Sequence, residues 1–212
     1  MSSLYEKLLI AVAAVRIICY KLKTAIFGAP TPIVLLEARV LCLGLDGAGK
    51  TSILARAASG EAPGAVEPTS GFHVRPIVSA PWRLELWDIG GAPAVRPFWR
   101  RYAAPETRAL VWVVDASDAA RLAESAAALA PMLAEPRLAR LPLLVFANKA
   151  DIGGWDAGVV TDDAISAALG LGGRAECQLV RCSAVDGRGV ADGFEWLARA
   201  LERREQAIRE RT

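Results

Sequence analysis

The sequence has almost no net charge: 25 Lys and Arg stand against 23 Asp and Glu in 212 residues, a formal balance of +2. Nucleic-acid binding draws on a clear basic excess, and nothing here argues for that partner. Cysteine is sparse as well. Cys19, Cys42, Cys177 and Cys182 form no CxxC pair and no metal-ligand spacing, which leaves reduced thiols in a cytoplasmic protein rather than a disulfide or zinc framework. An unbroken apolar run of about 20 residues, the length a bilayer demands, is missing. No internal repeat is present. Against these absences stand 53% apolar and 23% charged residues, which exclude disorder across the body and suit one packed α/β domain with an arm.

Residues 4–27 are that arm. The stretch from Leu8 to Val15 is apolar, but Arg16 interrupts it and Lys21 and Lys23 follow. At helical steps Leu4, Leu8, Ala11, Val12, Val15, Ile18, Cys19, Leu22 and Ile26 share one face, with Lys7, Arg16, Lys21 and Lys23 off it. The pattern predicts an amphipathic helix lying in a membrane interface, with docking on the domain's own surface as the other option. No small-residue cleavage site follows the apolar run, and Ser2 stands where N-myristoylation requires glycine. Cys19 is a candidate for a reversible acyl chain. Gly28 to Pro32 breaks the helix, dividing the chain into helix and linker at 1–32 and a globular domain at 33–212.

From residue 39 onward, apolar runs alternate with helical patterns. Segments 40–43, 84–87, 110–114, 143–147 and 177–182 read as strands, several apolar on consecutive positions as in a sheet covered on both faces. Segment 73–78 reads as an edge strand, because Pro76 has no N–H for a ladder. Helices are predicted at 50–58, 119–134, 162–169 and 190–208, the third capped by Thr161. This alternation predicts an α/β, doubly wound, mostly parallel six-stranded sheet with helices on both faces.

Gly44, Leu45, Asp46, Gly47, Ala48, Gly49, Lys50 and Thr51 fit G-x-x-x-x-G-K-[ST] between a strand and a helix, the context a phosphate loop requires. The glycines let backbone N–H groups turn towards phosphate oxygens, and the helix that begins with Thr51 and Ser52 presents its positive end. Lys50 is placed for the β- and γ-phosphates and is the residue assigned to catalysis. The Thr51 hydroxyl is placed for Mg²⁺, and so are Asp88, at the end of a strand, and Thr69, in the loop after the first helix. Gly91 lets the backbone approach a γ-phosphate closely. Asn148, Lys149 and Asp151 follow a strand at the edge where open sheets bind nucleotides. Asp151 can accept from guanine N1–H and its amine, a donor pair that adenine lacks. Asn148 can tie this loop to the phosphate loop, and the Lys149 stem can cover the base. Ser183 and Ala184, after the last strand, offer a backbone N–H to the guanine oxygen.

With these motifs in order, residues 37–201 resemble the Arf and Arf-like small GTPases. The resemblance is carried by G-L-D-G-A-G-K-T, P-T-S-G-F, W-D-I-G-G, R-P-F-W-R-R-Y, V-V-D-A-S-D and F-A-N-K-A-D. W-D-x-G-G sets it apart from Ras-like relatives. The stretch C-S-A-V-D-G-R-G-V-A-D-G-F-E-W is similar to the Arf-like branch linked to release of lipidated cargo. The resemblance implies a P-loop small G domain that binds GTP and GDP with Mg²⁺. It also implies an interswitch hairpin that slides when GTP binds and expels the N-terminal helix towards a membrane. Phe72, Trp87 and Tyr102 occupy the positions of the family's aromatic effector patch. Effector proteins, an exchange factor and a GTPase activator are the implied partners. The implied setting is a monomeric switch in vesicle or protein transport, peripheral to an intracellular membrane.

Two departures bear on activity. Family members carry a glutamine directly after Gly-Gly, where it orients the attacking water; here the residue is Ala92, followed by Pro93. A methyl group cannot hold water, so intrinsic hydrolysis is expected to slow by about 10²-fold or more. Ser2 and the longer arm are the other departure, leaving the membrane link to apolar area and basic residues. The competing reading is an essentially non-hydrolysing GTP-bound scaffold; an ATP-using kinase is disfavoured by Asp151. Arg96 is a possible helper at the γ-phosphate, weighed against a surface or helix-start residue.

Overall fold

The computed structural model describes residues 35–152, 155 and 160–210. The helix expected in the N-terminal arm and Cys19 lie outside the described residues. Six strands, β1 (Leu36–Gly44), β2 (Phe72–Ser79), β3 (Trp82–Ile89), β4 (Thr107–Asp115), β5 (Leu143–Asn148) and β6 (Cys177–Arg181), make one sheet in the order β2-β3-β1-β4-β5-β6. All neighbours pair in parallel except β2 with β3, which form an antiparallel hairpin. β2 is the edge, and Pro76 sits on it opposite Glu85, as the missing N–H requires. Among the described residues four α-helices pack on the sheet: α1 (Lys50–Ser59), α2 (Leu122–Leu133), α3 (Asp162–Ala168) and α4 (Val190–Arg209).

Side chains alternate across each strand, and this divides the interior in two. Val40, Cys42, Leu84, Leu86, Val111, Val113, Leu144 and Phe146 face Ile53 and Leu54 of α1 and Phe194, Leu197 and Leu201 of α4. On the other side Leu41, Leu43, Leu110, Trp112, Val114, Val145 and Ala147 face Trp99, Leu129 and Met132, with Ile165 of α3. β5 is buried along its whole length, which explains why it read as an unbroken apolar run. A Cβ on Gly193 would lie 2.4 Å from the Phe146 ring, so α4 needs a glycine there to lie against the sheet.

Caps fix the helix ends. The Thr161 hydroxyl accepts from the Ala164 N–H at 3.2 Å, and Gly60 closes α1 at φ 74° with its N–H on the Arg56 carbonyl. Two elements differ from expectation. Segment 119–134 begins as a 3-10 turn, Ala119–Arg121, because the Asp118 side chain accepts from Arg121 N–H and tightens the entry to α2. A second 3-10 helix, Arg96–Tyr102, was not foreseen; Pro97 near its start and buried Trp99 seat it against the sheet. No described helix is long and apolar enough to cross a membrane.

Candidate nucleotide site

The carboxyl ends of β1, β3, β5 and β6 lie along one edge of the sheet, and every motif loop leaves from that edge. After β1 the chain turns through Gly44, Gly47 and Gly49 at φ of 147°, 75° and 90°, values L side chains rarely adopt. This turn is the phosphate loop, and it opens directly into α1. Lys50 is 6% exposed, and its Nζ donates to the Gly44 and Leu45 carbonyls at 2.9 Å each. Burial lowers its pKa against the pull of neighbouring anions. Ser52 follows, half-buried, in the first turn of α1.

Three oxygen-bearing side chains converge beside Lys50. The Thr51 hydroxyl donates to Asp88 Oδ2 at 2.6 Å, and Thr69 Oγ1 lies 3.1 Å from Thr51 Oγ1. Asp88 is fully buried, and its Oδ1 has no hydrogen-bond partner among the described residues. Burial raises its pKa, opposed by the Thr51 hydrogen bond and the Lys50 charge. A buried carboxylate oxygen without a partner, beside two hydroxyl oxygens, has the donor chemistry that Mg²⁺ takes. No group of three or more His, Cys, Asp or Glu gathers among the described residues.

The base end is built around Asn148, 2% exposed. Its Nδ2 donates to the Ala48 carbonyl at 2.8 Å, and its Oδ1 accepts from Ala184 N–H at 3.1 Å. One amide thus joins the phosphate loop to the loop after β6. Ser183 is buried, and its Oγ accepts from the Val185 and Asp186 N–H groups, folding that loop. Lys149 sits at φ 65° and pairs with Asp115 at 2.6 Å. Asp115 also accepts from Ser117, and despite its burial these hydrogen bonds lower its pKa. Asp151 is exposed at the rim.

The Gly90-Gly91-Ala92 turn lies flat on the phosphate loop. A Cβ on Gly91 would lie 2.4 Å from Asp46 N, Gly44 O and Leu45 C. Three successive carbonyls of the turn are pinned: Gly90 O by Trp99 Nε1–H, Gly91 O by Arg96 Nε–H and Asp46 N–H, and Ala92 O by the N–H groups of Val95 and Arg96. The N–H groups of Gly91 and Ala92 make no such bond among the described residues. Arg96 stands at a helix start, but its side chain is only 17% exposed and is no surface group. It joins Asp46, Arg121 and Glu124 in a closed ring of alternating charge. Hydrogen bonds from Arg121, then Arg96, hold the Glu124 carboxyl down at about 2. Of this group the sequence signalled Asp46 as a site residue and Arg96 as a candidate helper at the γ-phosphate; Arg121 and Glu124 carried no motif that singled them out.

Phe72, Trp87 and Tyr102 form one aromatic cluster at the β2–β3 hairpin. Phe72 stacks on Trp87 with centroids 5.1 Å apart and lies 5.7 Å from Tyr102. Arg39 packs under Trp87 at 3.7 Å and donates to the Tyr102 carbonyl. Phe72 is 47% exposed, whereas Trp87 and Tyr102 are half-buried against the core.

The family model described as the ADP-ribosylation factor family matches residues 32–201. ADP-ribosylation factor-like protein 3 of Chlamydomonas reinhardtii is 40% identical over 168 residues, spanning 78% of this chain and 92% of that protein. ADP-ribosylation factor-like protein 1 of Caenorhabditis elegans is 41% identical over 170 residues, 79% of this chain and 91% of its own length. Among solved structures, the Arl6 small GTPase from Trypanosoma brucei with a bound nucleotide analogue, GppNp, superposes with a TM-score of 0.69 at 28% identity, covering 79% of this chain and 99% of that one. By matched length, identity and fold together, the chain belongs to the ADP-ribosylation factor family of small GTPases, which bind GTP and GDP with Mg²⁺.

Proposed function

We propose that this protein is a GTP/GDP switch that recruits effectors at a membrane and, left to itself, hydrolyses GTP slowly. The observation that carries the slow rate is the seat of Gly91 on the phosphate loop, where a Cβ would lie 2.4 Å from three backbone atoms. That close approach makes residue 92 the next side chain at the γ-phosphate end, and it is a methyl group. The N–H groups of Gly91 and Ala92, without backbone partners among the described residues, are the donors left to meet a γ-phosphate.

In this reading Thr51, Thr69 and Asp88 hold Mg²⁺, which when bound neutralises charge on the β- and γ-phosphates. Lys50 exchanges the Gly44 and Leu45 carbonyls for phosphate oxygens, and the phosphate-loop N–H groups share the remaining charge. Asp151 reads guanine. Lys149, oriented by Asp115, lies along the base, and Asn148 braces both loops. No side chain at position 92 orients the attacking water. Arg96 cannot take over, because Gly91 O, Asp46 and Glu124 already occupy its fork.

Exposed Phe72, backed by Trp87 and Tyr102, is the effector contact; the hairpin that carries it is tied to nucleotide state through Thr69 and Asp88, at its two ends. The arm at 1–32 supplies the membrane link. An exchange factor loads the switch, and a partner that completes the catalytic site turns it off.

The test is single-turnover hydrolysis of preloaded GTP by the protein beside Ala92→Gln. The expected result is a nearly inert parent and a variant about 10²-fold faster. Equal rates would remove the slow-hydrolysis reading, because another group would then be holding the water. Inertness of both would favour the non-hydrolysing scaffold.

A further inference from the structure

The Gly90-Gly91-Ala92 turn, the switch loop of the proposed reading, touches the phosphate loop at the Gly91 carbonyl, and Arg96 holds that contact from three sides. Its Nε donates to Gly91 O at 2.7 Å, its Nη2 to Asp46 Oδ1 at 2.9 Å and its Nη1 to Glu124 Oε1 at 2.6 Å. The three acceptors belong to the switch loop, the phosphate loop and α2. Arg121 closes the ring, with Nη2 on Asp46 Oδ1 and Nε on Glu124 Oε2 at 2.8 Å each, and Nη1 on the Asp46 carbonyl at 2.9 Å. Neither carboxylate can turn away without breaking bonds to both arginines. Planar, fixed forks of this kind set geometry as well as charge.

The consequence reaches the ligand through the backbone. Ala80–Pro81 is the only cis peptide among the described residues, so the peptides of the turn are trans. A planar trans peptide carries its N–H opposite its carbonyl. Pinning Gly90 O through Trp99 therefore aims the Gly91 N–H, and pinning Gly91 O through Arg96 aims the Ala92 N–H. These are the two N–H groups of the turn that have no backbone partner among the described residues. Arg96 touches neither of them. It fixes the far side of the peptide that bears one.

We infer that Arg96 is a positioning residue for the third phosphate: its fork keeps the Gly91–Ala92 peptide seated on the phosphate loop, so that GTP is bound in preference to GDP. The inference rests on the nucleotide-switch reading above. GDP is held by the phosphate loop and the base loops; Asp46 of the phosphate loop keeps both of its Arg121 bonds when Arg96 is lost, and the braces at Asn148 and Lys50 do not pass through Arg96. Loss of the fork therefore falls on the triphosphate.

The experiment measures the affinities of the non-hydrolysable analogue GppNHp and of GDP, with Mg²⁺, for the full chain and for Arg96→Lys and Glu124→Gln. One ammonium cannot serve three acceptors in different directions. Arg96→Lys should therefore weaken GppNHp about tenfold or more while GDP changes less than about threefold, the scale of one charge-assisted hydrogen bond lost. Glu124→Gln lies on α2, outside the phosphate and base loops, and opens the ring by removing one charge; the same selective loss, smaller, is expected. It also gives the answer should Arg96→Lys fail to fold. Parallel loss of both nucleotides, or an unchanged ratio of the two affinities, overturns the inference. A parent protein that binds neither nucleotide overturns the switch reading itself, which is a separate result.

Discussion

Asn148→Ala measures how far the site is braced by the protein rather than by its ligand. Asn148 is 2% exposed and makes two strong contacts, donating to the Ala48 carbonyl at 2.8 Å and accepting from the Ala184 N–H at 3.1 Å. Ala48 and Ala184 are themselves buried, so truncation strands a carbonyl and an N–H with no alternative partner. Each stranded group costs about 1–3 kcal/mol. Entry of water from the cleft offsets part of one, which puts the net loss near 2–4 kcal/mol. In a domain of this size that corresponds to a fall of roughly 5–15 °C in Tm. Asn148 Nδ2 also fills the space above Gly49, where a Cβ would lie 2.2 Å from it; the variant leaves that space empty.

The assay is thermal unfolding across a series of GDP concentrations, extrapolated to none. Ligand binding to the native state raises Tm with the logarithm of concentration, so the extrapolated value isolates the protein's own bracing and the slope isolates binding. An extrapolated Tm equal to that of the parent refutes the reasoning: the amide would then serve the nucleotide alone.

Gly91→Ala places a Cβ 2.4 Å from Asp46 N, Gly44 O and Leu45 C, all backbone atoms, so the turn must lift off the phosphate loop; equilibrium titration should show GppNHp affinity falling at least tenfold more than GDP affinity, about 1.4 kcal/mol of selectivity. Glu124 titrates near 2 in the folded protein against an ordinary 4.5, held down first by Arg121 and then by Arg96, and Asp46 is lowered by the same partners. A depressed carboxyl stabilises the native state above its ordinary value and loses that contribution as pH falls from about 4.5 towards about 2. Tm measured from pH 6 to pH 2.5 should therefore fall more steeply for the parent than for Glu124→Gln.

The loops at the carboxyl edge were legible because each is a contiguous run of residues whose types the chemistry dictates. Strands were legible as apolar runs but came out short. β1 extends back to Leu36 and β3 begins at Trp82, since Glu37 and Arg83 keep the ladder while exposed, and Arg39 keeps it with its guanidinium laid under Trp87. Segment 96–102 carried no helical period, and its structure comes from Trp99 being buried at 2% and bonded to Gly90 O. The charge ring was out of reach for a different reason. Asp46, Arg96 and the Arg121/Glu124 pair come from three distant segments, and a local reading assigns each an independent role.

That ring changes what Ala92 implies. A glutamine at 92 would serve hydrolysis through its side chain, but grip on a third phosphate through the backbone needs only that the peptides be held. The peptides are held from outside the turn, by Trp99, Arg96 and Asp46. On the proposed reading, recognition of GTP and its hydrolysis rest on separate atoms, so a methyl at 92 would remove one without loosening the other. On this argument the Ala92→Gln change should raise the hydrolysis rate and leave the GppNHp-to-GDP affinity ratio where it was. Arg96→Lys should collapse the ratio even in the Ala92→Gln background.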